Sequence, residues 1–399
     1  MRNSQTNFGW AAAMVAAILM TLEVAMAAPA QSFKVMYAFT STGGDGAYPL
    51  APVISDGAGH LYGTTYNGGS GSGCFNGCGT VFELDATGKE TLLYSFKGQG
   101  DAAGPVAGLV RDSTGTLYGT TEYGGAYGYG AVFSLDTAGQ ETVLHSFTYR
   151  SDGAIPAAPL ILGGGGNLYG TTYAGGAHGG GAVFELQGTG NLTVLHSFEG
   201  GADGEGPVAG LIHDAAGNLD GTTVYGGSNN AGTVFRISYP SGEESVLYSF
   251  TNGDDGGYPR AGLIEDSSGN FYGTTQEGGA YGLGTVFKLD ATGNETTLYS
   301  FTGGTDGSTP YAPVVQDKAG NLYGTTFQGG AYGLGVAFKL DAGGNETVLH
   351  SFRGLADGST PEAGLILDPS GNLYGTTSKG GDTSCNPPSG CGVVFRIRP

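Results

Sequence analysis

Arg260, Tyr311 and Glu362 each follow a proline directly, and each of those prolines lies four residues after an aspartate: Asp255, Asp306 and Asp357. The same frame occurs four more times, with Leu50, Val106, Ala157 and Val208 after the proline and Asp45, Asp101, Asp152 and Asp203 before it. A cation, an aromatic ring and a carboxyl group at equivalent positions can form a small-ligand site, combining ring stacking with a few directed hydrogen bonds. Tyr48, Tyr258, Glu122 and Glu277 lie near that place in the repeat. The competing reading is ordinary variation around a water-filled channel. The seven aspartates admit two readings as well. A ring of carboxylates could bind Ca²⁺, which takes oxygen ligands. In six of the seven copies, however, Gly follows the Asp, as expected of an Asp that closes its own turn. Turn closure is the reading adopted, because seven separated units keep such side chains apart, and no cofactor is expected.

Other reactive constellations are missing from the sequence. His145, His196 and His350 occupy a position that is Tyr in sister copies, which makes them structural. There is no His/Glu metal spacing and no GxSxG. The glycine-rich loops do not join a strand to a helix, so they are not phosphate loops. Cleavage of a glycosidic bond by a carboxyl pair needs two groups roughly 5–10 Å apart. Glu362 with Glu122 or Glu277 is the pairing on offer.

The elements that carry these residues repeat. GNLYGTT occurs at 166–172, 320–326 and 371–377, with looser copies at 60–65, 116–121, 218–223 and 270–275. The glycines of the GTT triplets, Gly63, Gly119, Gly170, Gly221, Gly273, Gly324 and Gly375, step by 56, 51, 51, 52, 51 and 51 residues. Each unit holds four short apolar runs divided by turn residues. In the fifth these are Pro259–Asp266, Asn270–Gln276, Gly284–Asp290 and Glu295–Phe301, denoted strands a to d. Four strands per ~50 residues is the signature of a propeller blade. The last unit stops after its strand c, Gly392–Arg398, while an unassigned strand-d pattern, Phe33–Phe39, precedes the first. The expected fold is therefore all-β: a seven-bladed β-propeller of four-stranded blades, its ring closed by the N-terminal strand pairing with the last blade. Closure removes exposed sheet edges. The Gly inside strand b is expected where another backbone comes close.

The composition agrees. Glycine numbers 80 of 399 residues, but 23 Tyr and 19 Phe argue against disorder. A formal net charge of −20 excludes nucleic acid as a partner, since binding its backbone needs clustered Lys and Arg. Residues 1–28 read as a signal peptide: Arg2, the apolar run Trp10–Met26, and Ala25-Met26-Ala27 as a small-x-small cleavage site. Residues 29–399 then form a single domain, secreted or periplasmic, monomeric and without a membrane span. Four cysteines in an exported chain suggest two disulfides. Cys74 and Cys78 share one b–c loop, and Cys385 and Cys391 share another, in blades that meet at the closure. Local pairing stiffens each loop, whereas cross-pairing clasps the ring. Asp220 replaces the Tyr of the repeat without evident reason.

The unit resembles the repeat of the GloVer (Gloeo_Verruco) tandem-repeat family of exported bacterial proteins. The resemblance rests on the LYGTT core, GGAYGLGTVFKLD at 278–290 and NETTLYSF at 294–301, and it covers essentially all of the mature chain. It implies export and a propeller-like repeat, and no particular activity. The functional expectation is a non-catalytic binding module for a glycan or a protein surface, using Arg260, Tyr311, Glu362, Tyr258 and Tyr48. The alternatives are a carbohydrate-active enzyme, a lyase or glycosidase, and a structural envelope component.

Overall fold

The computed structural model describes residues 31–399 apart from Gln99, Thr189 and Ala215. The expected signal peptide lies outside the described residues. Seven antiparallel four-stranded sheets follow one another as blades 1 to 7. In blade 5 strand a is Ile264–Glu265, b is Phe271–Thr275, c is Thr285–Leu289 and d is Glu295–Ser300. Strand a is much shorter than Pro259–Asp266. Pro259 has no N–H to give a ladder, and the carbonyl of Ala261 is taken from outside the blade, by the hydroxyl of Thr222.

The ring closes as the chain ends suggest. Ser32–Ala38 pairs antiparallel with Val393–Arg398, matching Phe33 with Ile397 and Val35 with Phe395. A second closure is carried by side chains. The first Thr of each GTT donates to the carbonyl of an Ala in the next blade: Thr64 to Ala107, Thr120 to Ala158, and so on round to Thr325 to Ala363. The last bond, Thr376 Oγ1 to Ala51 O at 3.0 Å, joins blade 7 to blade 1 across 325 residues. Aromatic pairs repeat the link. The Phe ending each strand d meets the strand-c Phe of the next blade edge to face, from Phe39–Phe82 (5.1 Å) to Phe352–Phe395 (5.2 Å). Each such pair adds about 0.5–1.5 kcal/mol beyond the area it buries.

The strand-b glycine makes room for a ring rather than for a backbone. A Cβ on Gly324 would lie 2.7 Å from Phe338 Cζ, and one on Gly63 would lie 2.5 Å from Phe82 Cζ. These are cross-strand partners, Gly324↔Phe338 and Gly63↔Phe82. The ring lies flat over the glycine, which explains why LYGTT cannot carry a larger residue there.

Every c–d pair has a bulge at the same place, for instance between Val286 and Phe287, which leaves Leu298 as the extra residue on strand d. Bulges re-aim the side chain that follows. Here that is the Tyr or His two residues before the terminal Phe, and it turns onto the loop aspartate.

Candidate functional site

The loop from strand d to the next strand a is built by its aspartate. In blade 5's entry loop, Asp255 accepts the Tyr248 hydroxyl (3.0 Å) and the N–H of Thr251 (2.8 Å). Asp45, Asp101 and Asp306 repeat this with Tyr37, Tyr94 and Tyr299. Asp152, Asp203 and Asp357 instead pair with Nε2 of His145, His196 and His350 at 3.0–3.1 Å. These seven carboxylates are thus tied into their own loops. Among the described residues no three His, Cys, Asp or Glu side chains gather in a group that could hold a metal ion. The a–b turn aspartates are closed the same way. Burial alone would raise Asp266, but hydrogen bonds from Asn270, Ser268 and Tyr272 outweigh it and hold the carboxyl at about 2.

The residue before each proline is left-handed in all seven blades. The φ values are Tyr48 58°, Gly104 65°, Ile155 56°, Gly206 68°, Tyr258 56°, Thr309 58° and Thr360 52°. For β-branched Ile155, Thr309 and Thr360 this is a strained backbone. The strain is held by two hydrogen bonds. The N–H of Thr309 donates to Leu283 O in the preceding blade (2.8 Å), and its carbonyl accepts from Phe327 N (3.1 Å). The other blades repeat both bonds, so one left-handed residue fixes the post-proline residue against the residue that follows GTT.

Those two positions form the mouth. Leu50, Val106, Ala157, Val208, Arg260, Tyr311 and Glu362 all line one central cavity of about 590 Å³. The post-GTT ring adds Tyr66, Glu122 and Tyr173, together with Ile155. Tyr48 and Tyr258 stand elsewhere. Tyr48 lines a hollow over the b–c loops of blades 1 and 7, where Asn386 Nδ2 donates to its hydroxyl. Tyr258 faces Tyr225, with ring centroids 5.9 Å apart. Glu122 lines the mouth and Glu277 does not. The post-GTT residues Tyr66, Tyr173, Gln276, Phe327 and Ser378 escaped the sequence reading, although they could be found by counting one residue past each conserved triplet. A narrower space of about 290 Å³ shares the seven post-proline residues and runs along the apolar strands a, past Ile161, Ile212 and Ile264.

Blades 5 to 7 make the mouth asymmetric. Arg260 Nε donates to Gln276 Oε1, and the guanidinium lies over Tyr311, 5.8 Å from the ring centroid. Tyr311 packs on Phe327 at 4.9 Å with a 31° tilt. Glu362 accepts the Ser378 hydroxyl at 2.8 Å. Burial raises the pKa of Glu362 against the Ser378 hydrogen bond and Lys379, and burial raises Glu122 as well. Burial, then Glu122 and Tyr123, push Tyr66 up to about 12. A carboxyl beside open space accepts hydrogen bonds from hydroxyl groups.

Both disulfides are local, Cys74–Cys78 and Cys385–Cys391, with Cα separations of 5.1 and 5.7 Å. Asp220 also finds its explanation. In blades 2, 5, 6 and 7 the Tyr at this place donates to the turn aspartate, as Tyr272 does to Asp266 (3.0 Å). In blade 4, Arg236 takes over, gripping the buried Asp220 through Nε and Nη2 and reaching Asp214 at 3.0 Å.

Fold and mouth together define a closed seven-bladed β-propeller with an uneven central cavity. Residues 70–267 and 241–399 match the Gloeobacter/Verrucomicrobia repeat, and the chain belongs to that family. No curated protein matches it. Among solved structures it is similar to an extracellular domain assigned to a one-component system of B. thetaiotaomicron. That match has a TM-score of 0.58 and 10% identity, and it covers 92% of this chain and 39% of that one. A protein assigned as a 6-phosphogluconolactonase of Bacteroides uniformis matches at TM-score 0.51 and 20% identity, covering 75% of this chain and 85% of that one. A protein of unknown function from Bacteroides thetaiotaomicron matches at TM-score 0.50 and 14% identity, covering 92% and 76%. At such identities the likeness concerns the fold alone. No helix among the described residues is long and apolar enough to cross a membrane.

Proposed function

We propose that this protein is an exported binding module that takes a glycan end at its central mouth. The observation that carries the reading is the break in seven-fold symmetry at one place. Seven post-proline residues share one cavity, and three adjacent blades supply Arg260, Tyr311 backed by Phe327, and Glu362. A sugar offers what such a wall accepts: an apolar ring face for stacking and hydroxyls for the polar groups. Export is supported by the signal-like residues 1–28 and by two disulfides, which persist outside the reducing cytosol. Tyr127, Tyr281 and Tyr332 on the b–c loops are 59–62% exposed and extend the contact surface around the rim.

The test incubates mature protein, residues 29–399, with soluble and insoluble polysaccharides. Retention is scored together with new reducing or unsaturated ends. Retention without new ends, weakened by Tyr311→Ala, is the expected result. Silence in both assays refutes the reading. A second reading, a glycosidase or lyase, is favoured by Glu362 and Glu122, two acids with raised pKa on one cavity. New ends that disappear in Glu362→Gln while retention survives would establish it.

A further inference from the structure

The mouth has a charge pattern that says more about its ligand. Among the described residues, Arg260 is the only Lys, Arg or His that lines the cavity. It has no carboxylate within ion-pair distance among the described residues, whereas Arg236 and Arg353 both do. Its Nε is committed to Gln276 and its plane rests over Tyr311. That leaves the two Nη groups, which no described residue accepts, as a pre-oriented fork. A guanidinium fork of this kind fits a carboxylate through two parallel hydrogen bonds. Tyr311, held between Phe327 and the guanidinium, turns its remaining edge to the cavity and gives a pyranose an apolar border to pack against.

The opposite wall argues for hydroxyls, not a second charge. Glu122 belongs to blade 2 and Arg260 to blade 5, three steps apart in a ring of seven, so they stand almost across the mouth from each other. The Glu122 carboxyl lacks a hydrogen-bond partner among the described residues, and Glu362 is met only by the Ser378 hydroxyl. Both are suited to hydroxyl groups, as are Tyr66 and Tyr173. A repeating polyanion is disfavoured. The chain carries a formal charge of −20, and like-charged fields lower the local concentration of such a ligand. One carboxylate can be matched by one arginine; a row of them brings further charges that the lining, with Glu122 and Glu362, does not match.

We propose, building on the glycan reading above, that the mouth selects a single uronic-acid residue at the end of an otherwise neutral sugar chain, with its carboxylate on Arg260 and its ring on Tyr311. The experiment is calorimetry on mature protein with two matched oligosaccharides, one ending in glucuronate and one ending in glucose. Polygalacturonate and inorganic phosphate serve as further probes. The glucuronate chain should bind about tenfold tighter or more, the scale of one charged hydrogen-bonded contact. Arg260→Gln should reduce it to the level of the neutral chain, a larger loss than the same change causes in neutral-chain binding. Arg260→Lys, which keeps the charge without the fork, should restore only part of the preference. Tyr311→Ala should weaken both chains, and melting curves of each variant confirm folding. Equal binding of the two chains by the native protein overturns the uronate assignment and leaves the glycan reading standing. So does an Arg260→Gln effect of the same size on both. No binding of either chain overturns both. Tighter binding of polygalacturonate overturns the single-carboxylate requirement, and tighter binding of phosphate overturns the sugar acid.

Discussion

Stability should fall as the pH rises from about 4.5 to about 7, because of a set of carboxyl groups at the blade interfaces. The residue opposite the last apolar position of strand c is Glu90, Glu141, Glu244, Glu295 and Glu346 in five blades, Leu192 in blade 3 and Phe33 in blade 7. Each Glu faces a loop aspartate: Asp101 with Lys97 near Glu141, Asp203 near Glu244, Asp255 near Glu295 and Asp306 near Glu346. Oε1 of Glu141, Glu244 and Glu346 is buried without a hydrogen-bond partner. Burial, and then the neighbouring aspartate, raise these four from 4.5 to about 7, with Thr297 opposing the rise at Glu295. Below pH 4.5 both folded and unfolded chains are protonated and nothing is lost. Between 4.5 and 7 the unfolded chain ionises first and the folded chain holds more protons, so stability falls as pH rises. An unscreened shift of this size is worth about 3 kcal/mol per group. These carboxyls are only half-buried, and screening leaves about 1 kcal/mol each, or about 4 kcal/mol for the four. For a domain of this length that is about 5 °C in Tm between pH 5 and pH 8. Glu90 and Glu362 shift in the same direction, and His350, lowered chiefly by burial, shifts stability the other way. Differential scanning calorimetry of native protein and of E141Q/E244Q/E295Q/E346Q across this range is the assay. The variant should match native protein at pH 5 and exceed it by about 5 °C at pH 8. A flat native profile, or an undiminished fall in the variant, would refute the reasoning.

Three further outcomes follow from the packing. Gly324→Ala should cost about 1–3 kcal/mol in chemical denaturation, because its Cβ would meet Phe338 Cζ at 2.7 Å and the ring must move. Removing residues 1–39 should convert a monomer on size-exclusion chromatography into dimers or aggregates, since Val393–Arg398 becomes an open edge. Reducing both disulfides should lower Tm by only a few degrees with the circular-dichroism spectrum unchanged, because they close loops of separation 4 and 6, where little chain entropy is at stake.

The architecture was legible because its signals are local. The turn residues and the short apolar runs lie within one unit, the fixed period repeats that unit along the chain, and the unpaired ends of the chain supplied the closure. What escaped depends on partners distant in sequence. Gly63 signals a close approach, but nothing nearby says that the approaching group is the ring of Phe82, 19 residues on. The hydroxyl of Thr376 looks like a strand preference until Ala51 appears beside it. The post-proline residues were found because Pro marks the place. Apart from Glu122, the post-GTT residues were missed because the position has no fixed type, running Tyr66, Glu122, Tyr173, Val224, Gln276, Phe327, Ser378. Sequence adjacency also set Tyr48 and Tyr258 beside the mouth, yet their left-handed backbone belongs to the loop, and their rings meet Asn386 and Tyr225.

The same contrast explains why the mouth can hold a site at all. Where blades touch, each repeated side chain serves two blades: Thr325 needs Ala363, Phe301 needs Phe338, and Asp306 needs Tyr299. A change in one copy is felt by its neighbour, so those positions stay alike. At the mouth the structural bonds are made by backbone atoms, the pre-proline N–H and carbonyl. The side chains after Pro and after GTT are left to vary at little cost to the ring. They meet in pairs within one blade, 16 residues apart: Arg260 with Gln276, Tyr311 with Phe327, Glu362 with Ser378. Most of these contacts stay within a blade, and the Arg260 guanidinium over Tyr311 is the one described above that passes from blade 5 to blade 6. The post-proline ring shows what this allows: its residues are apolar in blades 1 to 4, while blades 5 to 7 carry Arg260, Tyr311 and Glu362.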